Sequence, residues 1–154
     1  MAIPPSELGD KIKRSKKVVV LGIGNELRGD DAAGILFVKT LSKTSKRYKC
    51  YNCGTAPENF IGLIEKEKPN ILLLVDAADF EGTPGSALIT DPKSAVGIVS
   101  THSVPLSIMT EILEKSGIEC VLIGIKPRST EFGEKMSTEV KDKVKEIVDV
   151  LSSL

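Results

Sequence analysis

Short apolar runs alternate along the chain with segments whose apolar residues have helical spacing. The first run, 17–23 (KVVVLGI), is rich in β-branched residues and ends at glycines, which predicts a strand buried on both faces. Further strands are predicted at 47–54, 70–75, 86–90 and 118–125. The run 70–75 (NILLLV) is the most apolar of the chain, so it predicts a central strand that leads directly into Asp76.

Helices are predicted between these strands. Helical spacing extends over 31–43, over a segment from Ser103 to Gly117, and over a last helix with buried positions at Val140, Val144, Ile147, Val148 and Leu151. The tetrapeptide 55–58 (TAPE) predicts a capping box that opens a short helix ending before Pro69. Strands joined by single helices favour a mostly parallel sheet that is covered on both faces.

We therefore predict an α/β fold: a single three-layer α/β/α sandwich of the phosphorylase/hydrolase-like type, with a mostly parallel sheet of five or six strands. One domain spans 17–154, and 1–16 is an N-terminal extension without an assigned role. A chain of 154 residues buries a core large enough to fold without a disulfide or a metal ion.

Composition and charge narrow the class of function. The chain carries 21 Lys plus Arg and 21 Asp plus Glu, so its formal net charge is zero. Because nucleic-acid binding needs a basic face, a general nucleic-acid binder is excluded. No apolar run approaches the ~20 residues that cross a bilayer, and the N-terminal segment lacks the apolar core of a signal peptide. We expect a cytoplasmic protein that does not bind membranes.

The three cysteines are expected to be free thiols. Cys50 and Cys53 have the spacing C-x-x-C, but they lie in a predicted strand, where an odd separation places them on opposite faces. Cys120 lies within the apolar run 118–125. These positions exclude a zinc ribbon and predict buried or half-buried thiols.

Acidic residues and the only histidine follow the predicted strands. In an open α/β sheet, ligands bind beyond the carboxyl ends of the strands. Asp31 follows the first strand, Asp76 the third, and His102 lies in the loop after the fourth. Such a set suits Zn, Ni, Mn or Fe and leaves positions open for water or substrate. The alternative is structural, with His102 as a capping or surface residue and Asp31 as a helix N-cap.

The loop 22–31 (GIGNELRGDD) does not fit either common phosphate-binding motif. A dinucleotide fingerprint needs glycine at the position of Leu27, and the second strand ends without the acid that would hold a ribose. A P-loop needs lysine at the position of Asp30, and two adjacent carboxylates would repel phosphate. The sequence therefore does not favour a nucleotide-binding fold. Protection from thermal unfolding by ATP or NAD would revive this hypothesis.

Several short motifs occur in a fixed order along the chain. They are 20–25 (VLGIGN), 29–31 (GDD) with Gly34, 54–59 (GTAPEN), 75–77 (VDA), 101–102 (TH) and 124–127 (GIKP), with Gly133, Ser137 and Val140 at the opening of the last helix. In order, loop placement and chain length they closely resemble the hydrogenase maturation endopeptidase family. The resemblance covers nearly the whole chain from Lys17 onward.

This resemblance implies a peptidase that trims a short C-terminal extension from the large-subunit precursor of a nickel-iron hydrogenase after nickel insertion. The family's metal-contacting acids and histidine fall on Asp31, Asp76 and His102, and the nickel is implied to belong to the precursor. The family usually has glycine after the second Asp of its first motif, where this chain has Ala32. If that glycine allows close approach of the substrate backbone, a methyl group there narrows specificity.

Two mechanisms and one other function stay open. Nickel held by Asp31, Asp76 and His102 positions the tail and polarises the scissile carbonyl or a water. Alternatively, Asp31 and Asp76 are a catalytic carboxylate pair that shares a proton, and nickel serves recognition alone. The D-T-G and D-S-G signatures of ordinary aspartic proteases are absent. The other function is that of a non-proteolytic nickel-binding or chaperone-like module with the same fold.

Polar residues beside these motifs have weaker assignments. Glu58 is explained by the predicted capping box, and Asn25 and Glu26 serve either the turn or a contact. Asp30 is a candidate to hydrogen-bond a metal-contacting residue, and Asp79 is interpreted as a loop acid.

Overall fold

Five helices and six strands make up the computed structural model, which describes residues 2–94, 99–100 and 106–154. The strands are β1 (Val18–Ile23), β2 (Tyr48–Gly54), β3 (Ile71–Asp79), β4 (Ala87–Thr90), β5 (Val99–Ser100) and β6 (Glu119–Ile125). The helices are α1 (Pro5–Arg14), α2 (Ala33–Thr44), α3 (Ile61–Glu67), α4 (Leu106–Lys115) and α5 (Thr138–Ser152), with 3-10 turns at Gly29–Ala32, Pro57–Phe60 and Pro92–Ser94.

The main sheet is mostly parallel and has β3 at its centre. Its strand order is β2-β1-β3-β6-β4, in which only β4 runs antiparallel to its neighbour. The two-residue strand β5 pairs antiparallel with the end of β3, where Ser100 lies opposite Ala78. The predicted α/β class, the mostly parallel sheet and the central position of 70–75 are confirmed.

Helices cover both faces of the sheet, as the three-layer prediction required. Val18 and Val20 of β1 point into one core with buried residues of α1, α2 and α5, whereas Val19 and Leu21 point into a second core with α3 and α4. All six residues of β1 are buried, which explains why its run is apolar at successive positions instead of alternating. The periodicity of the last helix is confirmed by α5, whose Val140, Val144, Val148 and Leu151 are buried.

The N-terminal extension contains helix α1, which packs against the rest of the fold. Leu8 and Ile12, one helical turn apart, are buried in the first core. The guanidinium of Arg47 donates to the carbonyl oxygens of Ile12, at 2.6 Å, and of Ser15, so it adds hydrogen bonds at the C-terminal end of α1. Ahead of the helix, the Ile3 N–H donates to the Ile89 carbonyl at the outer edge of β4.

The predicted capping box at 55–58 is wrong. The 3-10 turn there has Ala56 as its N-cap, with no side-chain capping bond, and α3 begins only at Ile61. The chain leaves β2 through a turn in which the Ala56 N–H donates to the Cys53 carbonyl, so Thr55 is inside that turn and not at a helix N-cap. The prediction that Glu58 is a capping-box residue is therefore also wrong.

In the described part of the chain, no helix combines the length and the apolar character needed to cross a membrane.

Candidate functional site

Glycines allow the loop after β1 and the start of α2 to lie directly on the sheet. A Cβ added to Gly34 would be 2.2 Å from the Val75 carbonyl oxygen, so only glycine permits this approach of α2 to β3. Gly24 has φ +150°, and a Cβ there would be 1.8 Å from the carbonyl oxygen of Asp31. The glycines of the first motif therefore bring the backbone around Asp31 close to the carboxyl ends of β1 and β3.

Asp31 lies in the 3-10 turn that precedes α2 and is only 3% exposed. Its Oδ2 accepts a hydrogen bond from the Asn25 N–H at 3.0 Å, and its own N–H donates to the Arg28 carbonyl at 2.9 Å. The alternative that Asp31 is a helix N-cap is wrong, because the N-cap of α2 is Ala32 and makes no side-chain capping bond. The loop thus holds Asp31 through these two hydrogen bonds, neither of which caps a helix.

Asp76 is 1% exposed and lies inside β3. The sequence predicted that Asp76 follows its strand, but β3 continues to Asp79 because β6 pairs with it as far as Ala77 and β5 pairs with the next two residues. The 3-10 turn that carries Asp31 packs against β3. The structure therefore brings Asp31 and Asp76 to the same edge of the sheet, as the strand-end argument predicted.

The third predicted ligand, His102, lies outside the described residues. Within 2–94, 99–100 and 106–154, no three His, Cys, Asp or Glu side chains are grouped so that they could hold a metal ion. This observation excludes a metal site formed by three side chains among the described residues. The predicted set includes His102 and stays a prediction.

Asp30 has a structural partner that the sequence did not reveal. Its buried carboxylate accepts hydrogen bonds from the Arg128 N–H at 2.8 Å, from the Ser137 N–H at 2.6 Å and from the Ser137 hydroxyl at 2.8 Å. All three donors lie in or at the end of the loop between β6 and α5, about a hundred residues away in sequence. These bonds assign the Asp30 carboxylate a structural role, which is to join the turn before α2 to the loop before α5.

Neighbouring polar residues have structural roles. The Asn25 side chain accepts from the Leu27 N–H at 2.9 Å, which closes a local turn beside Asp31. Glu26 pairs with Lys39 at 3.3 Å, and the exposed Asp79 pairs with Lys126 at 2.8 Å. These contacts favour the structural alternative for Asn25 and Glu26.

The thiols do not form a site. Cys50 packs against the first core and Cys53 lies in the second, so the predicted placement on opposite faces is confirmed. All three cysteines are free. Burial raises the pKa of Cys50 to about 11 and the pKa values of Cys53 and Cys120 to about 12, so the thiols stay protonated near neutral pH. A protonated thiol is neither a good nucleophile nor a metal ligand.

Comparisons with known proteins agree with the geometry. Residues 35–153 match the family model described as hydrogenase maturation protease. The hydrogenase 3 maturation protease of Escherichia coli K12 is 33% identical, over 84% of this chain and 85% of its own.

Two solved structures are also similar. The [NiFe] hydrogenase maturation protease HycI from Thermococcus kodakarensis is 36% identical with a TM-score of 0.86, covering 95% of this chain and 96% of its own. The endopeptidase HycI from Escherichia coli is 31% identical with a TM-score of 0.81, covering 89% and 90%.

Proposed function

The chain belongs to the hydrogenase maturation protease family, and we propose that it removes a C-terminal extension from the nickel-loaded large-subunit precursor of a nickel-iron hydrogenase. The observation that carries the proposal is the pair of buried carboxylates, Asp31 and Asp76, at one edge of the sheet. The relatives are named as proteases or endopeptidases, which supports peptide-bond hydrolysis over the non-proteolytic alternative.

In this proposal, Asp31, Asp76 and His102 contact the nickel that the precursor carries. The contact assigned to His102 rests on the resemblance of the 101–102 motif to the family. Carboxylate and imidazole together form a donor set that suits nickel.

The same carboxylates are proposed to carry the hydrolysis. One carboxylate takes a proton from the attacking water, whose oxygen bonds to the scissile carbonyl carbon. The amine then leaves as the C–N bond breaks, and it receives a proton from the other carboxyl group. Two adjacent acids can share a proton in this way, which is the aspartic-type form of the mechanism. In the metal-guided form, the substrate's nickel also positions the tail over Asp31 and Asp76.

Asp76→Asn separates recognition from chemistry. The assay measures binding and cleavage of purified nickel-loaded precursor by the variant. Retained binding without cleavage favours a catalytic acid, and loss of both favours a ligand to the substrate's nickel. Asp79→Asn is the matched control, since Asp79 lies on the same strand but is exposed and paired with Lys126. Full cleavage by Asp76→Asn would contradict the proposed role of this residue.

Ala32 is proposed to affect substrate specificity. It lines a surface cavity of about 420 Å³ beside the turn that carries Asp31, together with residues of α2 and of the loop before α5. This position supports the expectation that a methyl group in place of the family's glycine restricts the approach of a substrate backbone.

A further inference from the structure

Two large apolar side chains are exposed beside the turn that carries Asp31. Leu27, in the loop after β1, is 61% exposed, and Phe132, in the loop before α5, is 68% exposed. The two loops are in direct contact, because the N–H of Gly133 donates to the carbonyl of Leu27 at 2.8 Å. We call Leu27 and Phe132 with the backbone between them the rim surface. Among the described residues, Phe132 is the most exposed large hydrophobic side chain.

The rim surface is held rigidly from below. The Asp30 carboxylate binds the N–H groups of Arg128 and Ser137, and the Asp30 N–H donates to the Ser129 carbonyl at 3.0 Å. These bonds join the loops at a second place, in addition to the one at Leu27. Rigid loops lose little conformational entropy when a partner covers them, so apolar groups displayed on them are pre-organised for binding.

The rim surface is also continuous with the candidate site. Asn25 links the two, since its N–H donates to the Asp31 carboxylate while its side chain accepts from the Leu27 N–H. Leu27 therefore lies one hydrogen-bonded turn from Asp31, and a protein substrate bound at Asp31 is expected to reach it. A small-molecule substrate would leave these apolar groups in water, whereas a folded protein substrate covers them.

We infer that the rim surface is a docking site for the folded body of the protein substrate, outside the tail that is cleaved. This inference rests on the proposed function and adds to it a binding surface that is separate from the reacting groups. The charged residues around it have both signs, with Glu26, Arg28, Glu131, Glu134 and Lys135 exposed. Apolar contact at Leu27 and Phe132, and not net charge, is the feature that recognises the partner.

The test compares Leu27→Ser, Phe132→Ser and the double variant with wild type in cleavage of nickel-loaded precursor. Val150→Ser is the matched control, because Val150 is 56% exposed and lies about 20 Å farther along α5 than Ser137 at about 1.5 Å per residue. Each single variant is expected to raise KM about tenfold and to leave kcat within about twofold. The reason is that the lost contact stabilises the bound substrate and the transition state equally. Val150→Ser is expected to match wild type.

Each other outcome overturns the inference. If the double variant has the same KM as wild type, Leu27 and Phe132 have no docking role. Cleavage of the precursor by wild type would still support the proposed function. A lower kcat at unchanged KM places the two residues in the chemistry instead. Dissociation of a wild-type dimer by Phe132→Ser, at unchanged KM, shows that the surface joins copies of this chain. Failure of wild type to cleave the precursor overturns both the proposed function and the inference.

Discussion

Replacing Asp30 is expected to destabilise the protein far more than replacing an exposed acid. The Asp30 carboxylate accepts three hydrogen bonds, from Arg128 N–H and from both donors of Ser137. Ser137 is also the N-cap of α5, and its hydroxyl accepts from the Val140 N–H while donating to Asp30. Removal of the carboxylate therefore frees two backbone donors and loosens the cap of the longest helix.

The magnitude follows from these contacts. A hydrogen bond to a charged group contributes about 1.5–3 kcal/mol, and the losses overlap because the donors are partly hydrated in the variant. Asp30→Ala is expected to lower the free energy of unfolding by about 4 kcal/mol, which corresponds to about 10 °C in Tm for a chain of this size. Asp30→Asn is expected to lower the free energy of unfolding by about 1–3 kcal/mol. Its amide nitrogen replaces one acceptor oxygen, so one backbone N–H loses its hydrogen bond.

Urea and thermal unfolding measure both values. Asp142→Ala is the control, since Asp142 is an exposed acid on α5, and a change within about 0.5 kcal/mol is expected there. The variants should fall in the order Asp142→Ala, Asp30→Asn, Asp30→Ala. A loss below about 1 kcal/mol for Asp30→Ala, or equal losses for Asp30→Ala and Asp30→Asn, would refute the reasoning.

Three further predictions concern packing, thiols and the site. Gly34→Ala is expected to cost more than about 3 kcal/mol in unfolding experiments because its Cβ would meet backbone, whereas Gly62→Ala, with nothing within 4 Å, is expected to be neutral or slightly stabilising. Because burial raises the pKa values of Cys53 and Cys120 from 9.0 to about 12, each thiol stabilises the fold fully well below pH 9, and about 1.4 kcal/mol of stability per thiol is expected to be lost between pH 8 and pH 10; unfolding at pH 8, 9 and 10 measures this loss. His102→Ala is expected to abolish cleavage of nickel-loaded precursor while Tm changes by less than about 2 °C, and cleavage at the wild-type rate would contradict the metal-guided mechanism.

The strands could be predicted because burial on both faces leaves a direct record in the sequence. The runs 17–23 and 70–75 are apolar at nearly every position, and both form interior strands of the mostly parallel sheet. The edge position of Asp31 followed from the same rule, since the carboxyl ends of parallel strands meet at one edge. The extent of β3 could not be predicted, because it depends on pairing with β5 and β6, which is a tertiary contact.

The helix in the N-terminal extension has a local signal in the sequence. Pro5 begins α1, and Leu8 and Ile12 are spaced by four residues, which is the pattern of a short amphipathic helix that begins with proline. At 55–58, by contrast, a local signal was present but the predicted capping box does not form. A sequence that fits a capping box does not form one when the preceding turn determines where the helix begins.

Asp30 and Asp31 show most clearly where sequence reasoning ends. Both are buried aspartates in one 3-10 turn, and the sequence offers no local difference between them. In a 3-10 turn, successive side chains point about 120° apart, so one faces the loop before α5 while the other faces the loop after β1 and β3. The bonds that distinguish Asp30 come from Arg128 and Ser137, which are distant in sequence. Because the Asp30 bonds hold the turn in place, they also fix the direction in which Asp31 presents its carboxylate.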